Sequence, residues 1–301
     1  VADEIVPSTI GDLIAGEVMA AEFLMLLAAS EDNVLMHPAL MRATASSRSS
    51  TVVRVPHLGL AGTNILSSTT PGSEVANTAL TVGSTDVTIA MRALRYTRDD
   101  LAGYIADGKL DAPMFARAAV ISIAQTLIDL IANVTDDFTS TTGTSGVNAT
   151  WNDIIDAKTT LGVANASGRM LGLLHPQQWG DLESDMLSAG VSLASVAAGS
   201  LNAGLGSFKG SWLDIDFFTS TRVPLANTSA DRAGAIFTRG GVAWADAQMD
   251  DEGDPNIANL GRGCFERERQ GTYLATSYIM SHAAGVSKAL DGAGVSVITD
   301  A

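Results

Sequence analysis

LLHPQQWGDLESD, residues 173–185, joins an apolar run to a segment of helical periodicity through a single histidine. A histidine on a strand-to-helix corner is where many α/β enzymes keep their chemistry, so its role decides whether this part of the chain is catalytic or structural. Pro176 follows directly, and proline suits the first position of a helix. His175 therefore reads as the structural cap of a helix whose apolar face carries Trp179, Leu182 and Met186. A nucleophile elbow would need serine or cysteine at this corner with glycines around it, and neither stands there. Upstream, Thr150 and Asp153 have capping-box spacing, Ile154, Ile155 and Leu161 form an apolar face, and MLGLL (170–174) reads as a short buried strand. Residues 150–232 are expected to form an α/β domain.

Working outward, DAPMFARAAVISIAQTLIDLIANVTDDF (111–138) is a long, mostly apolar helix. Asp111 can cap it, Pro113 suits its first turn, and Ser122, Gln125, Thr126, Asp129 and Asn133 form one narrow polar stripe. From Pro113 to Asp137 it would run ~35–40 Å at 1.5 Å per residue. The following STTGTSG (140–146) reads as a domain boundary. TVVRVPHL (51–58) and TDVTIAMRALRYTR (85–98) have strand character and can pair as a long hairpin, with Pro56 tolerated only on an edge. Between them lies a stretch rich in Gly, Ser, Thr and Asn. A two-stranded ribbon is marginal alone in water, so this arm needs a neighbour to lie on. LIAGEVMAAEFLMLLAA (13–29) carries Glu17 and Glu22 within its apolar run and lacks a basic flank. It reads as a soluble amphipathic helix, not a membrane span or leader. The sequence starts at Val1, from which either a removed initiator or a cut precursor is expected.

The 301 residues are 46% hydrophobic and only 17% charged, with 29 glycines, which excludes a disordered chain and suggests much surface covered by partners. A net charge of −15 argues against a protein that grips nucleic acid. Cys264 is the single cysteine, which excludes an intrachain disulfide and a cysteine-built zinc site and suits a reducing cytoplasm. His37, His57, His175 and His282 lack metal-pair spacing, so neither metal nor cofactor is expected. GLGSFKG (204–210) is followed by the strand-like SWLDIDFF and is not a dinucleotide fingerprint. DDEGDPN (250–256) reads as a solvated acidic loop, with calcium binding left open. FERERQ (265–270) alternates charge along a strand, fitting either a solvated face or salt bridges between subunits. Asp181, Glu183 and Asp185 are the only close carboxylate set in the α/β domain, and acids are expected near a helix start from its dipole alone.

The N-terminal arm, extended hairpin, long helix, LLHPQQWGDL and SWLDIDFFTSTRVP within an α/β insertion, and a closing GAGVSVI strand (292–298) together resemble the major capsid proteins of tailed bacteriophages of the Hong Kong 97 type. The resemblance implies an α+β fold with an N-terminal arm (1–49), an extended loop (50–98), a peripheral domain with its spine helix (99–149), an axial domain (150–232) and a return to the peripheral sheet (233–301). It implies a coat protein and not an enzyme, assembling with itself into hexamers and pentamers of an icosahedral virion shell in the host cytoplasm. Scaffold, portal and decoration or cement proteins are possible partners, and double-stranded DNA is enclosed without specific binding. Arg54, Arg92, Arg95, Arg98, Glu266, Arg267, Glu268 and Arg269 are the candidate intersubunit contacts. Some such shells are locked by a lysine–asparagine isopeptide bond on the extended loop, but the lysines here are Lys109, Lys158, Lys209 and Lys288, so noncovalent closure is expected. The alternatives are an encapsulin-like nanocompartment shell enclosing a protein cargo and, of another class, a soluble hydrolase or sugar-binding protein.

Overall fold

The structure, a computed structural model, describes residues 34, 37–45, 51–58, 82–99, 112–166, 168–188, 207–227, 230–247, 257–259, 263–270 and 275–300. The helix expected over 13–29, the cap Asp111, Lys109, the outer part of the extended loop and the acidic loop 250–256 lie outside the described residues. In chain order the strands of the first half are β1 (Leu40–Ala45), β2 (Val52–Leu58), β3 (Val82–Thr88), β4 (Ala90–Asp99), β5 (Thr141–Thr142) and β6 (Met170–Leu174). The second half holds β7 (Ser207–Trp212), β8 (Ile215–Thr219), β9 (Leu225–Ala226), β10 (Asp231–Phe237), β11 (Val242–Ala247), β12 (Ile257–Asn259), β13 (Gly263–Gln270), β14 (Ala275–Lys288) and β15 (Gly294–Asp300). The helices are α1 (Ala112–Ala132), α2 (Trp151–Val163) and α3 (Pro176–Ser188).

The first sheet is built on β14, whose fourteen residues pair with β4 on one side and with β13 and then β11 on the other. β12 extends it beyond β13, and β1 joins β11 in parallel. The apolar residues of α1 pack on this sheet: Ile123, Leu127, Ile128 and Ile131 are buried with Trp244, Met280 and Ala284. The same cluster takes in Leu171, Leu173, Phe218 and Phe237 of the second sheet, so the helix is a shared core element. It stops at Ala132 and is about 31 Å long at 1.5 Å per residue, shorter than expected. The cause is local: the Thr135 hydroxyl lies 2.6 Å from the carbonyl oxygens of both Ala132 and Ala233, and the chain continues as a 3₁₀ turn over Thr135–Asp137.

The run 85–98, expected as one strand, is divided at Ile89. β3 remains in the two-stranded ribbon with β2, while β4 enters the first sheet. Two-residue alternation puts Val87 and Met91 on one face, yet Val87 is fully buried and Met91 is 65% exposed, because the chain leaves the ribbon between them.

The second sheet has the order β5-β15-β10-β6-β8-β7, with β9 added to β10. α2 and α3 cover it through Ile154, Leu161, Trp179, Leu182 and Met186, which meet Phe217, Ile236, Val295 and Val297. STTGTSG, expected to separate domains, contributes β5, which pairs in parallel with β15. The closing strand, expected in the sheet under the long helix, lies here as well: all seven residues of β15 pair with β10. Its residues are buried on both faces except near the end, a pattern that suits a central strand covered by helices on either side and not an edge. β7 and β8 form a hairpin whose two turn residues, Leu213 and Asp214, have φ of 51° and 65°, as a type I′ turn requires.

The chain crosses between these two sheets through α1, from β4 to β5, and again by two short crossings, at 238–241 and 289–293. The two crossings bind each other: the Thr238 amide donates to the Ala293 carbonyl (2.9 Å), and the Ala289 and Leu290 amides donate to the carbonyls of Gly241 and Gly240 (both 2.8 Å).

Candidate assembly surface

Among the described residues the ribbon is held against the first sheet near its base. Val55 and Val87 are buried against Ala243 and Ala245 of β11, flanked by Met41, Ala43, Val53 and Ile89. Val52, opposite Thr88, is 41% exposed, and Val82, at the other end of the described ribbon, is 63% exposed. Pro56 sits opposite Ser84 in a strand that pairs only with β3 among the described residues, consistent with its missing donor. Arg54 faces Asp86 across the ribbon and donates to its carboxylate from Nε (2.8 Å) and Nη2 (3.1 Å). The hydrogen bond from Arg54 holds the Asp86 carboxyl below its ordinary range and raises the guanidinium in turn. Both groups are exposed, so the pair fixes ribbon register more than it stabilises the fold.

The other candidate contacts lie on the β4–β14–β13 part of the first sheet. Arg95 and Glu266 flank Ile279 from opposite sides, and Thr97 and Glu268 flank Ser277. Arg95 reaches along this row, donating from Nη2 to Glu268 Oε2 (3.0 Å) and to Ser277 Oγ (3.1 Å). Arg92 is bound differently: its Nη1 donates to the carbonyls of Ala284 (2.9 Å) and Ala90 (3.2 Å). Arg98 and Arg269 both stand opposite Thr276, and Arg267 opposite Tyr278. Of the eight sequence candidates, Arg95 and Glu268 are thus brought together within one chain, and Arg54 takes Asp86, which sequence reasoning had not paired with it. β4 presents Met91, Leu94 and Tyr96 as exposed apolar side chains beside its arginines, with no strand on its outer edge among the described residues.

His175 stands immediately before α3. Its Nδ1 accepts from the Gln177 amide (3.3 Å), its carbonyl accepts from the Trp179 amide (3.0 Å), and burial with the nearby Arg232 lowers its pKa. The residue that sequence reasoning missed is Gln178, which is fully buried. Its Oε1 accepts from the His175 amide (3.0 Å), while Nε2 lies 3.1 Å from Arg232 O, 3.0 Å from Val297 O and 2.9 Å from Thr299 Oγ1. The spacing was legible, since a Gln three residues after a cap is a capping-box position. The carboxylates of α3 are also structural. Asp181 accepts from the Ala149 amide (3.4 Å) and Asn148 Nδ2 (3.2 Å), Asp185 from the Trp151 amide (3.1 Å), and Glu183 from Trp179 Nε1. Two acids of α3 thereby satisfy the open N-terminus of the preceding helix, α2, where Thr150 and Asp153 form a capping box.

A second missed group joins the segment before β1 to the second sheet. His37 Nε2 lies 2.8 Å from Asp216 Oδ2, and its Nδ1 accepts from the Ala39 amide (3.2 Å), which places the ring proton on Nε2. Asp216 also accepts from Ser211 and Arg169. Burial lowers the His37 pKa against the opposing pull of Asp216; burial alone would raise Asp216, but its three hydrogen bonds bring it below the ordinary carboxylate range. The signal was an acid inside the apolar run LDIDFF. Among the described residues no cluster of three metal-ligating side chains occurs, and no helix is long and apolar enough to cross a membrane.

No family model matches the chain, and no curated protein matches it in sequence. Its fold is matched by solved structures. The capsid of Ralstonia phage GP4 superposes with a TM-score of 0.60 at 14% identity, covering 87% of this chain and 87% of that one. The acid-stable capsid of Helicobacter pylori bacteriophage KHP30 gives 0.59 at 11% identity, covering 88% and 90%. The SrpI encapsulin of Synechococcus elongatus PCC 7942 gives 0.55 at 13% identity, covering 87% and 84%. The architecture is the Hong Kong 97-type α+β fold.

Proposed function

We propose that this chain, having the Hong Kong 97-type fold, is the major capsid protein of a tailed bacteriophage, a structural protein and not an enzyme. Copies associate as hexamers and pentamers in the host cytoplasm and close an icosahedral shell around the genome. Residues 50–98 act as the extended loop, and the α2–α3 body acts as the axial domain. The observation that carries this reading is the ribbon: among the described residues its two strands pair only with each other and Val82 at the far end is exposed, so the arm gains stability by lying on another surface. Each apolar Å² so covered contributes ~25 cal/mol, and many such contacts close a shell without covalent links. Arg54, Arg95 and Glu268 are exposed, and with Arg92, Arg98, Glu266, Arg267 and Arg269 they are the proposed intersubunit contacts. The chain's net charge of −15 keeps the inner wall from adsorbing packaged DNA.

Electron microscopy and sedimentation of the purified protein test the reading. Closed particles far above the 31.1 kDa of one chain are expected, and a monomer at every concentration and salt tested overturns it. The encapsulin match favours a second reading, a shell around a protein cargo. Nuclease-protected double-stranded DNA inside particles from infected cells supports the first reading; a single co-purifying enzyme supports the second.

A further inference from the structure

The turn at residues 37–39 ties together two parts of the molecule. The strand it leads into, β1, pairs with β11 of the first sheet, while His37 reaches Asp216 on β8 of the second. Both side chains are buried, His37 at 7% and Asp216 at 3% exposure. The same residue closes the turn: its Nδ1 accepts from the Ala39 amide (3.2 Å), and its carbonyl accepts from the Leu40 amide (3.1 Å). One imidazole thus donates to the second sheet and accepts within the turn, which only the neutral ring with its proton on Nε2 can do.

The carboxylate opposite is already matched. Asp216 Oδ1 accepts from Ser211, and Oδ2 accepts from Arg169 as well as from His37. Among the described residues the charged groups around the ring are Asp216 on β8, Arg169 before β6 and Arg42 on β1, with Arg239 lining the cleft beside it. A second ring proton would stand on Nδ1 against the Ala39 N–H. It would also add a buried positive charge facing one carboxylate that Arg169 shares. The latched geometry therefore opposes the imidazolium, whereas a ring that has swung into water takes its proton at the ordinary value of about 6.5. We propose that His37 is an acid-sensitive latch: at neutral pH it bolts the turn 37–39 to the second sheet, and on acidification this turn lets go while both sheets persist. The ring protonates more readily when released than when latched, so the latched state is favoured above about pH 6.5 and is lost as pH falls, by at most about ten-fold per pH unit for one proton. The inference stands on the single chain and does not rest on the shell reading.

Residue-resolved hydrogen exchange of the full chain, corrected for the intrinsic rate at each pH, tests it between about pH 7.5 and pH 5, the range that brackets the ordinary histidine value. Protection of the Ala39 and Leu40 amides is expected to fall by up to about ten-fold per pH unit, while amides of β6 and β14, one strand from each sheet, keep theirs. His37→Gln can donate to Asp216 and accept from Ala39 without titrating, so its turn should stay protected across the range. His175→Asn, which removes the other histidine near the second sheet, should leave the wild-type profile of the turn in place. Protection that is constant with pH, a loss shared equally by the turn, β6 and β14, or a pH-dependent loss retained in His37→Gln overturns the proposal. If His37→Gln fails to fold, the wild-type comparison of the turn with β6 and β14 still decides. A protein that never forms particles would sink the shell reading and leave this test unchanged.

Discussion

At the scale of one residue, Gln178 shows how a polar side chain can organise a buried layer. It caps the backbone of His175 and meets acceptors on β10 and β15. Gln178→Leu keeps similar volume but leaves those groups unpaired, and is expected to lower the stability of dissociated subunits by about 1–3 kcal/mol in denaturant unfolding. A variant as stable as the wild type would show that Gln178 only fills space. His37 contributes to the pH dependence. Its folded pKa is depressed, as is that of Asp216, so both contribute stability that is present above their unfolded values and lost as pH falls. The unfolded value for histidine is about 6.5, so between about pH 7 and pH 5 the loss comes from His37 and, with the same sign, from His175, each with a slope of at most ~1.4 kcal/mol per pH unit. The mechanism is steric as well as electrostatic, because a second ring proton on Nδ1 would oppose the Ala39 amide that now donates there. Unfolding of His37→Gln across that range should be flatter than wild type; equal slopes would assign the effect to other groups. The role of His175 was readable because Pro176 beside it fixes a helix start. The pairing of His37 with Asp216 was not, since 179 residues separate them and no local pattern relates them.

At the scale of elements, two features set the ribbon and the second sheet. Gly285 of β14 lies under the ribbon base, and a Cβ there would stand 1.9 Å from the Thr88 carbonyl oxygen. Gly285→Ala must therefore displace β3 from β14. The expected outcome is a subunit with near-native circular dichroism whose ribbon is cut faster by protease and whose assembly fails; unchanged assembly would separate ribbon placement from shell formation. The β7–β8 turn offers the opposite sign. Leu213 holds φ of 51° in a type I′ turn and is 43% exposed, so Leu213→Asn should stabilise the subunit, by ~0.5–1 kcal/mol, in thermal or denaturant unfolding. Both helices of the second sheet were legible from their caps and apolar faces. The lengths of α1 and of the strand at 85–98 were not, because a hydroxyl bound to Ala132 and Ala233 ends one, and a change of partner at Ile89 divides the other. Both are tertiary choices that residue spacing does not carry.

At the scale of the whole molecule, the order of segments was enough to suggest the fold, while the place of the last strand was not. GAGVSVI reads equally well as a strand of either sheet, and only the crossings at 238–241 and 289–293 decide between them. With no lysine between residues 50 and 98, the proposed shell is expected to release single chains when boiled in detergent. A ladder of covalent multimers that survives boiling and reduction would overturn that expectation. The position of β15, between β5 and β10, has a further consequence during synthesis. It is the last of the described strands to leave the ribosome, roughly ten seconds after β6 at typical elongation rates of ~5–20 residues per second. Until then the core that α2 and α3 form with Phe217 and Ile236 lacks Val295 and Val297, a partly open state of the kind a chaperone binds. A chain in this state lacks a strand between β5 and β10, so in the proposed shell a subunit would be ready to associate only once β15 has emerged.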